Sequence, residues 1–231
     1  MKIGMNKYVA ILFAATMLMS CDATRNASNK QKGAVIGAGS GAVIGGVIGN
    51  NTGGGNTALG AIIGGVVGGA AGAIIGNKMD KQAQKIEQEI PGAEVERVGE
   101  GINVTFDETN GIYFDTEKFE INADSKVTLN KLAEIFKEYP DTNILVEGHT
   151  DSSGPAAYNL TLSKNRAQAV TNYLISNGVP KNRFETKWYG ITQPKYDNTT
   201  AEGRSKNRRV ELAIVANEDL KKEAEEAAKQ N

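Results

Sequence analysis

The chain has 231 residues, enough for one folded domain of ordinary size plus additional segments. Its 26 basic and 27 acidic residues give a net charge of −1, and no basic cluster with interleaved aromatic residues occurs along it. Composition therefore gives no reason to expect a nucleic-acid partner.

The first segment in chain order, residues 1–20, has the pattern of an export signal. Lys2 and Lys7 form a positive start, and the short apolar run "YVAILFAATMLM" follows them. The run ends in "LMSC", which resembles the bacterial lipobox and implies diacylglycerol on the Cys21 thiol, cleavage before Cys21 and acylation of the new amino group. Cys21 is the only cysteine, so lipidation leaves no thiol for a disulfide. The alternative is a cleaved secretory signal with an incidental cysteine.

A polar tether at 21–32 leads into a glycine-rich region at 33–77 that contains no charged residue. The nucleotide-binding interpretation of this region fails, because the third glycine of GxGxxG is replaced by Ala42 and no GK[ST] follows. What distinguishes the region is a strict period of four, with glycines at 33, 37, 41, 45 and 49 and again at 60, 64, 68, 72 and 76.

The glycine period predicts two packed helices. Each helical glycine costs about 1 kcal/mol relative to alanine, so close backbone contact along one stripe must offset the loss. Valine and isoleucine occupy the other positions, as in small-xxx-small packing within membranes. The polar break at 50–57 separates segments 33–49 and 58–76, which predicts a glycine-zipper hairpin capable of forming a homo-oligomer. The alternative is a flexible glycine-rich linker, which would lack the repeated "VI" and "II" pairs.

Residues 78–101 are predicted to be a connector, because Met79, Ala83, Ile86 and Ile90 have the spacing of an amphipathic helix that ends at Pro91-Gly92. A globular domain follows at 102–216, and the charged tail at 217–231 is either a helix or disordered. The predicted strands are 102–106, 112–114, 143–148, 183–189 and 208–215, and the predicted helices are 122–139 and 156–178.

When the predicted strands 102–106 and 112–114 are counted as one β element, the order of elements is β-α-β-α-β-β. This order predicts an α/β (α+β) sandwich, with both helices on one face of a mixed sheet. On the second helix, Leu160, Ala167, Val170 and Leu174 are expected to form the core face.

One cluster of polar residues has the pattern of a ligand site. Asp151 lies just past a predicted strand, where ligands meet open α/β sheets. Asn159 and Arg166 are seven residues apart on the next helix, so they share a face that is free to point at Asp151. A carboxylate and a guanidinium across a small cleft would suit a zwitterion. The alternative is an ion pair between Asp151 and Arg166 that only joins the loop to the helix.

The motifs "GHTD", "NLTLSKNRA" and "NRRVEL" resemble the peptidoglycan-binding domain of the OmpA-like family, over roughly residues 102–216. The resemblance implies that Asp151 and Arg166 clasp the zwitterionic end of diaminopimelate in the wall peptide. It further implies that Asn159 and Arg208 assist and that Phe114 and Asp115 line the site. With the lipobox and glycine region upstream, the arrangement resembles the YiaD-type lipoproteins of that family.

These features predict a bacterial envelope lipoprotein whose partners are peptidoglycan and membrane lipid. The alternative is a membrane-embedded oligomeric scaffold that the wall-binding domain only localises. A single histidine and no convincing nucleophile–base pair argue against an enzyme, and no metal or cofactor is expected besides the lipid on Cys21. The outer membrane is the expected location, although Asp22 after Cys21 resembles an inner-membrane retention signal of some bacteria.

Overall fold

A computed structural model describes residues 67–108 and 111–230. The predicted signal peptide, the lipidation site Cys21, the tether and the glycine region up to residue 66 lie outside the described residues. None of the helices within the described ranges is both long and apolar enough to cross a membrane.

The described chain forms five strands and five α-helices. The strands are β1 (Glu94–Val98), β2 (Gly101–Phe106), β3 (Thr142–His149), β4 (Phe184–Gly190) and β5 (Val210–Ala216). The helices are α1 (Gly69–Glu89), α2 (Ala123–Glu138), α3 (Ala156–Ser176), α4 (Ala201–Asn207) and α5 (Glu218–Lys229), and a single 3-10 turn spans Lys181–Arg183.

The strands form one mixed sheet in the order β1-β2-β5-β3-β4. Only β3 and β4 pair in parallel, and every other neighbouring pair is antiparallel. This topology confirms the predicted mixed sheet and α+β class. It also means that β2, β3 and β4 point the same way, so their carboxyl ends share one edge with the start of β5.

Helices α1, α2, α3 and α5 cover one face of this sheet. Alternate residues of the central strands point at them and are fully buried, among them Val104, Val146 and Leu212. Phe136 of α2 and Val170 of α3 complete the same core. Core residues recur at every second position in the strands and at every third or fourth position in the helices, as the sequence pattern predicted.

Two strand assignments differ from the sequence prediction. Residues 112–114 are not a strand, because their backbone bonds go to side chains at the start of α2: Ser125 Oγ accepts from the Tyr113 N–H, and Asn122 Nδ2 donates to the Tyr113 carbonyl. The partner of β2 is instead β1, whose sequence "EVERV" is charged and half-exposed. An edge strand of this kind gives only a weak hydrophobic signal.

Helix α1 is longer than the amphipathic segment expected at 79–90, and it crosses the predicted boundary between residues 77 and 78. Its inner face carries the predicted Met79, Ala83 and Ile86, and two earlier residues, Ala71 and Ile75, continue it into the domain core. The end of the glycine region is therefore part of the globular domain.

The charged tail forms α5, which packs along α1 through Leu220 and Ala224. Lys78 of α1 reinforces the contact, with Nζ 2.8 Å from Asp141 Oδ2 and 3.7 Å from Glu223 Oε2. Helices α1 and α5, the first and last of the described chain, therefore pack against each other.

Candidate ligand-binding site

The topology brings three charged residues from distant parts of the sequence to one edge of the sheet. Asp151 follows the end of β3, Glu108 follows the end of β2, and Arg208 precedes β5. Because β2 and β3 run in the same direction on either side of β5, these three positions are neighbours. Helix α3 begins at the same edge and adds its own polar residues.

Asp151 is held in a tight turn and is only 5% exposed. Its Oδ1 accepts a 2.7 Å hydrogen bond from the Ser153 N–H, and its Oδ2 accepts from Arg208 Nη1. Asn159, on the first turn of α3, donates from Nδ2 to the Ser153 carbonyl at 2.7 Å. The predicted pairing of Asn159 with the Asp151 loop is therefore present, and it fixes the loop rather than the carboxylate itself.

Close packing of α3 against β3 sets the position of that helix. A Cβ at Gly148 would overlap the Ser163 carbonyl oxygen and would stand 3.1 Å from Ala167 Cβ. The glycine therefore lets α3 approach the strand just before the chain reaches Asp151.

Arg166 lies two turns beyond Asn159 and is also only 5% exposed. Its Nε donates to the Lys118 carbonyl at 2.9 Å, and its Nη2 to the Asp115 carbonyl at 3.3 Å. No acceptor within the described residues receives a bond from its Nη1. Burial lowers the pKa of Arg166, and the negative charge of Glu108 acts in the opposite direction.

Asp151 and Arg166 do not form an ion pair. Among the described residues, the guanidinium that contacts the Asp151 carboxylate is that of Arg208. Arg208 also contacts both carboxylate oxygens of Glu108, through Nε and Nη2. Hydrogen bonds to Glu108 and Asp151 raise the pKa of Arg208. The alternative of a direct pair between loop and helix is therefore not realised.

Several opposing effects act on the ionisation of Asp151. Burial alone would raise its pKa, but the hydrogen bonds from the Ser153 backbone and the Arg208 guanidinium outweigh burial and lower the pKa below its ordinary value of 3.8. The group is thus an anion at neutral pH.

Phe114 and Asp115 lie beside Arg166, as expected, but they contribute differently. The Phe114 ring is buried, with its centroid 5.0 Å from Arg166 Cζ, a cation–π arrangement. Asp115 supplies its backbone carbonyl to Arg166, while its exposed carboxylate pairs with Lys118 at 3.1 Å. The family resemblance implied a role for both residues but could not separate side-chain from backbone roles.

A cleft of about 490 Å³ opens over Asp151, Asn159 and Arg166, and Phe114 and Asp115 are not among the residues that line it. Asp151, Arg166 and Arg208 line it together with Tyr158 and Glu117. Tyr158 is 45% exposed, and Glu117 holds a left-handed backbone conformation with φ of 61°. The cleft therefore presents a carboxylate and a guanidinium that are not bound to each other.

Two residues, Leu160 and Glu108, differ from the sequence prediction. Leu160 is not in the core but is 45% exposed, because α3 turns only the later positions Ala167, Val170 and Leu174 onto the sheet. Glu108 was not predicted. Its only sequence signal was its position after a strand, which Asp107 shares, and its partner Arg208 is 100 residues away.

Comparison with known proteins identifies two regions. Residues 113–208 match the OmpA family, and residues 1–80 match the YMGG-like Gly-zipper family. The OmpA match contains every predicted site residue of the folded domain, and the second match contains Cys21 and the glycine period.

Three curated relatives illustrate the similarity. "Probable lipoprotein YiaD" of Escherichia coli (strain K12) is 36% identical over 59% of this chain and 62% of its own length. "Outer membrane porin F" of Pseudomonas aeruginosa is 42% identical over 52% and 33%. "Peptidoglycan-associated lipoprotein" of Rhizobium meliloti (strain 1021) is 45% identical over 36% and 47%. The chain thus spans less than two thirds of each relative.

Among solved structures, the cell wall anchor of the T6SS from Pseudomonas aeruginosa is similar with a TM-score of 0.51 and 26% identity. The likeness covers 60% of this chain and 96% of that structure. Together, the comparisons confirm the predicted resemblance to OmpA-like and YiaD-type proteins and the fold class. The names of the relatives, which include outer-membrane and peptidoglycan-associated proteins, agree with the expected outer-membrane location.

Proposed function

We propose that the OmpA-family domain of this chain binds peptidoglycan noncovalently through the zwitterionic end of diaminopimelate and so links the cell wall to the membrane. In this proposal the Asp151 carboxylate takes the ligand ammonium, and the Arg166 guanidinium takes the ligand carboxylate. Asn159 and Arg208 hold Asp151 in place, and Phe114 and Asp115 hold Arg166.

The observation that carries the proposal is the separation of Asp151 from Arg166 within one cleft. Each has its own support from the protein, from Ser153 and Arg208 in one case and from backbone carbonyls in the other. Each therefore keeps bonding capacity that a zwitterion can use. A charge-assisted hydrogen bond in such a site contributes about 1.5–3 kcal/mol.

Co-sedimentation with isolated peptidoglycan tests the proposal. Asp151→Ala or Arg166→Ala should weaken binding about tenfold or more, since 1.4 kcal/mol corresponds to one decade. Arg183→Ala is the matched control, because Arg183 is also a buried arginine that donates to carbonyls, those of Phe136, Tyr139 and Thr142, but it does not line the cleft. The control should lose stability and keep wall binding while it is folded. Full binding by both cleft variants would exclude this site.

The membrane side of the link is proposed to be a lipid on Cys21. Cys21→Ser should abolish lipidation and leave the precursor uncleaved or the protein soluble. Globomycin, which blocks cleavage of lipoprotein precursors, should cause accumulation of the wild-type precursor. An unchanged pattern with globomycin would exclude lipid modification at Cys21.

A second candidate function is a membrane-embedded oligomeric scaffold, which the match to the YMGG-like Gly-zipper family favours. Replacing Gly37, Gly41 and Gly45 by leucine would force facing backbones apart. A scaffold should then lose its crosslinked oligomers, whereas a simple tether should still sediment with peptidoglycan. Sucrose-gradient fractionation of host membranes would separate outer-membrane from inner-membrane anchoring.

A further inference from the structure

Resting on the function proposed above, we propose that Glu108 sets the ligand preference of the cleft: by neutralising Arg208, it makes the site select a zwitterion over a simple carboxylate. Glu108 lies outside the three sequence motifs and before the start of the OmpA match at residue 113.

Arg208 is largely committed to hydrogen bonds within the protein. Its Nε and Nη2 donate to the Glu108 carboxylate, and its Nη1 donates to Asp151. One guanidinium is thus shared by two carboxylates, and three of its five N–H groups are committed. Such a cation orients Asp151 but has little capacity left for a ligand carboxylate.

The charged residues around the cleft balance one another. Asp151 and Glu108 are negative, Arg166 and Arg208 are positive, and the four lie around one cleft. Their charges cancel, and Arg166 remains apart from the bridged trio. Glu117 also lines the cleft, but it is solvent-exposed and its charge is therefore screened by water. A ligand that carries both signs on one carbon can therefore bind without leaving a net charge in the partly buried cleft.

Removal of Glu108 would change the charge balance around the cleft. Arg208 would then face Asp151 alone, and the four-residue set would carry one net positive charge. An incoming ammonium would meet an uncompensated guanidinium next to the carboxylate it needs. An incoming carboxylate would meet two guanidinium groups, which is the preferred arrangement for an anion. Selectivity should therefore move from zwitterion towards anion.

Calorimetric titration of the full chain in detergent can measure this shift. The probes are meso-diaminopimelate and pimelate, which has the same carbon chain and carboxylates but no ammonium groups. Glu108→Gln should weaken diaminopimelate binding at least tenfold and leave pimelate binding unchanged or stronger. Glu134→Gln is the control, because it removes a carboxylate from an ion pair on the exposed surface of α2 and should behave as wild type.

A double variant distinguishes charge neutralisation from a merely structural role. Glu108→Gln combined with Arg208→Gln restores charge balance, so it should bind diaminopimelate no more weakly than Arg208→Gln alone, which by itself removes the support that Arg208 gives Asp151. Additive losses, or diaminopimelate binding by Glu108→Gln within threefold of wild type, would overturn the inference. If wild type itself does not bind diaminopimelate, the proposed function fails as well; if wild type binds and Asp151→Ala does not, the proposed function survives whatever Glu108 does.

Discussion

The carboxylate of Glu100 occupies the space next to Gly72 that a side chain at position 72 would need. From there it accepts hydrogen bonds from the N–H groups of Val67 and Gly68, at 2.8 and 2.9 Å, and so caps the start of α1. Further along, Arg97 bonds to Asp80 at 2.9 Å and reaches the Gly76 carbonyl. The last glycines of the period-four series thus contact the β1–β2 hairpin of the same domain.

Stability measurements on two alanine variants can test this use of the glycines. Gly76→Ala should stabilise the domain by up to about 1 kcal/mol, because a Cβ there meets no atom within 4 Å and alanine is the better helix former. Gly72→Ala gains the same propensity but displaces Glu100 and loses the cap, which costs about 0.5–2 kcal/mol. The free energy of unfolding measured in urea should therefore be lower for Gly72→Ala than for Gly76→Ala. In a Glu100→Ala background the two should become equal, and a difference that persists there would contradict the explanation.

A second prediction concerns the close approach of α3 to β3 at Gly148. Because Ser163 meets this position with its backbone oxygen, Gly148→Ala must push the helix away, at a cost of about 1–3 kcal/mol. The shift would also move Asn159 and Arg166, so we expect weaker peptidoglycan binding together with a lower unfolding temperature. Asp151→Ala gives a contrasting result, because it removes the carboxylate proposed to bind the ligand while α3 stays in place, so the loss of binding does not depend on a shift of the helix. Unchanged binding by a folded Gly148→Ala would show that the helix position does not control the site.

The ionisation of Asp151 predicts how wall binding depends on pH. Its pKa in the folded protein lies below 3.8, so the carboxylate stays charged from neutral pH down to about pH 4. The stability it contributes is present above the unfolded pKa and is lost as pH falls through the folded pKa. Calorimetric binding of diaminopimelate should therefore be constant between pH 7 and pH 5. A loss of affinity with a midpoint above pH 4 would contradict this assignment.

Helices α2 and α3, the central strands and the site loop could be predicted because they have strong local signals, whereas the short α4 was not predicted. Leu129, Leu132 and Phe136 repeat with the helix period, and all three are buried. Non-local contacts had no such signal. Arg183 illustrates the difficulty: it donates to the carbonyls of Phe136, Tyr139 and Thr142, at the end of α2 and the start of β3, between 41 and 47 residues earlier in the chain.

The same reason limited the prediction of the site. Asp151, Asn159 and Arg166 lie within 16 residues of one another, so helix geometry was enough to place them together. The bridge from Glu108 through Arg208 to Asp151 depends on the strand order β2-β5-β3, which no local pattern specifies. Sequence reasoning therefore found the two proposed clasp residues and missed the residue that neutralises Arg208.

His149 gives the last prediction, because its burial should make the stability of the domain depend on pH. The ring is 1% exposed, stacks on Tyr189 with centroids 5.4 Å apart, and has no hydrogen-bond partner for either nitrogen within the described chain. Burial foremost, and then the positive charges of Arg209 and Lys195, lower its pKa well below 6.5. Glu147 is the acidic neighbour, with its Oε2 3.9 Å from His149 Nε2.

The sign of the effect follows from these shifts. The folded state keeps His149 neutral, whereas the unfolded chain takes up a proton below pH 6.5, so stability is full above that pH and declines as pH falls towards the folded pKa. The slope should approach about 1.4 kcal/mol per pH unit while only the unfolded histidine is protonated. His149→Gln removes this titration, so urea unfolding between pH 7 and pH 5 should give the variant a flatter dependence than wild type. Carboxylates titrate in both proteins alike, so equal slopes would mean that His149 is not held neutral by the fold.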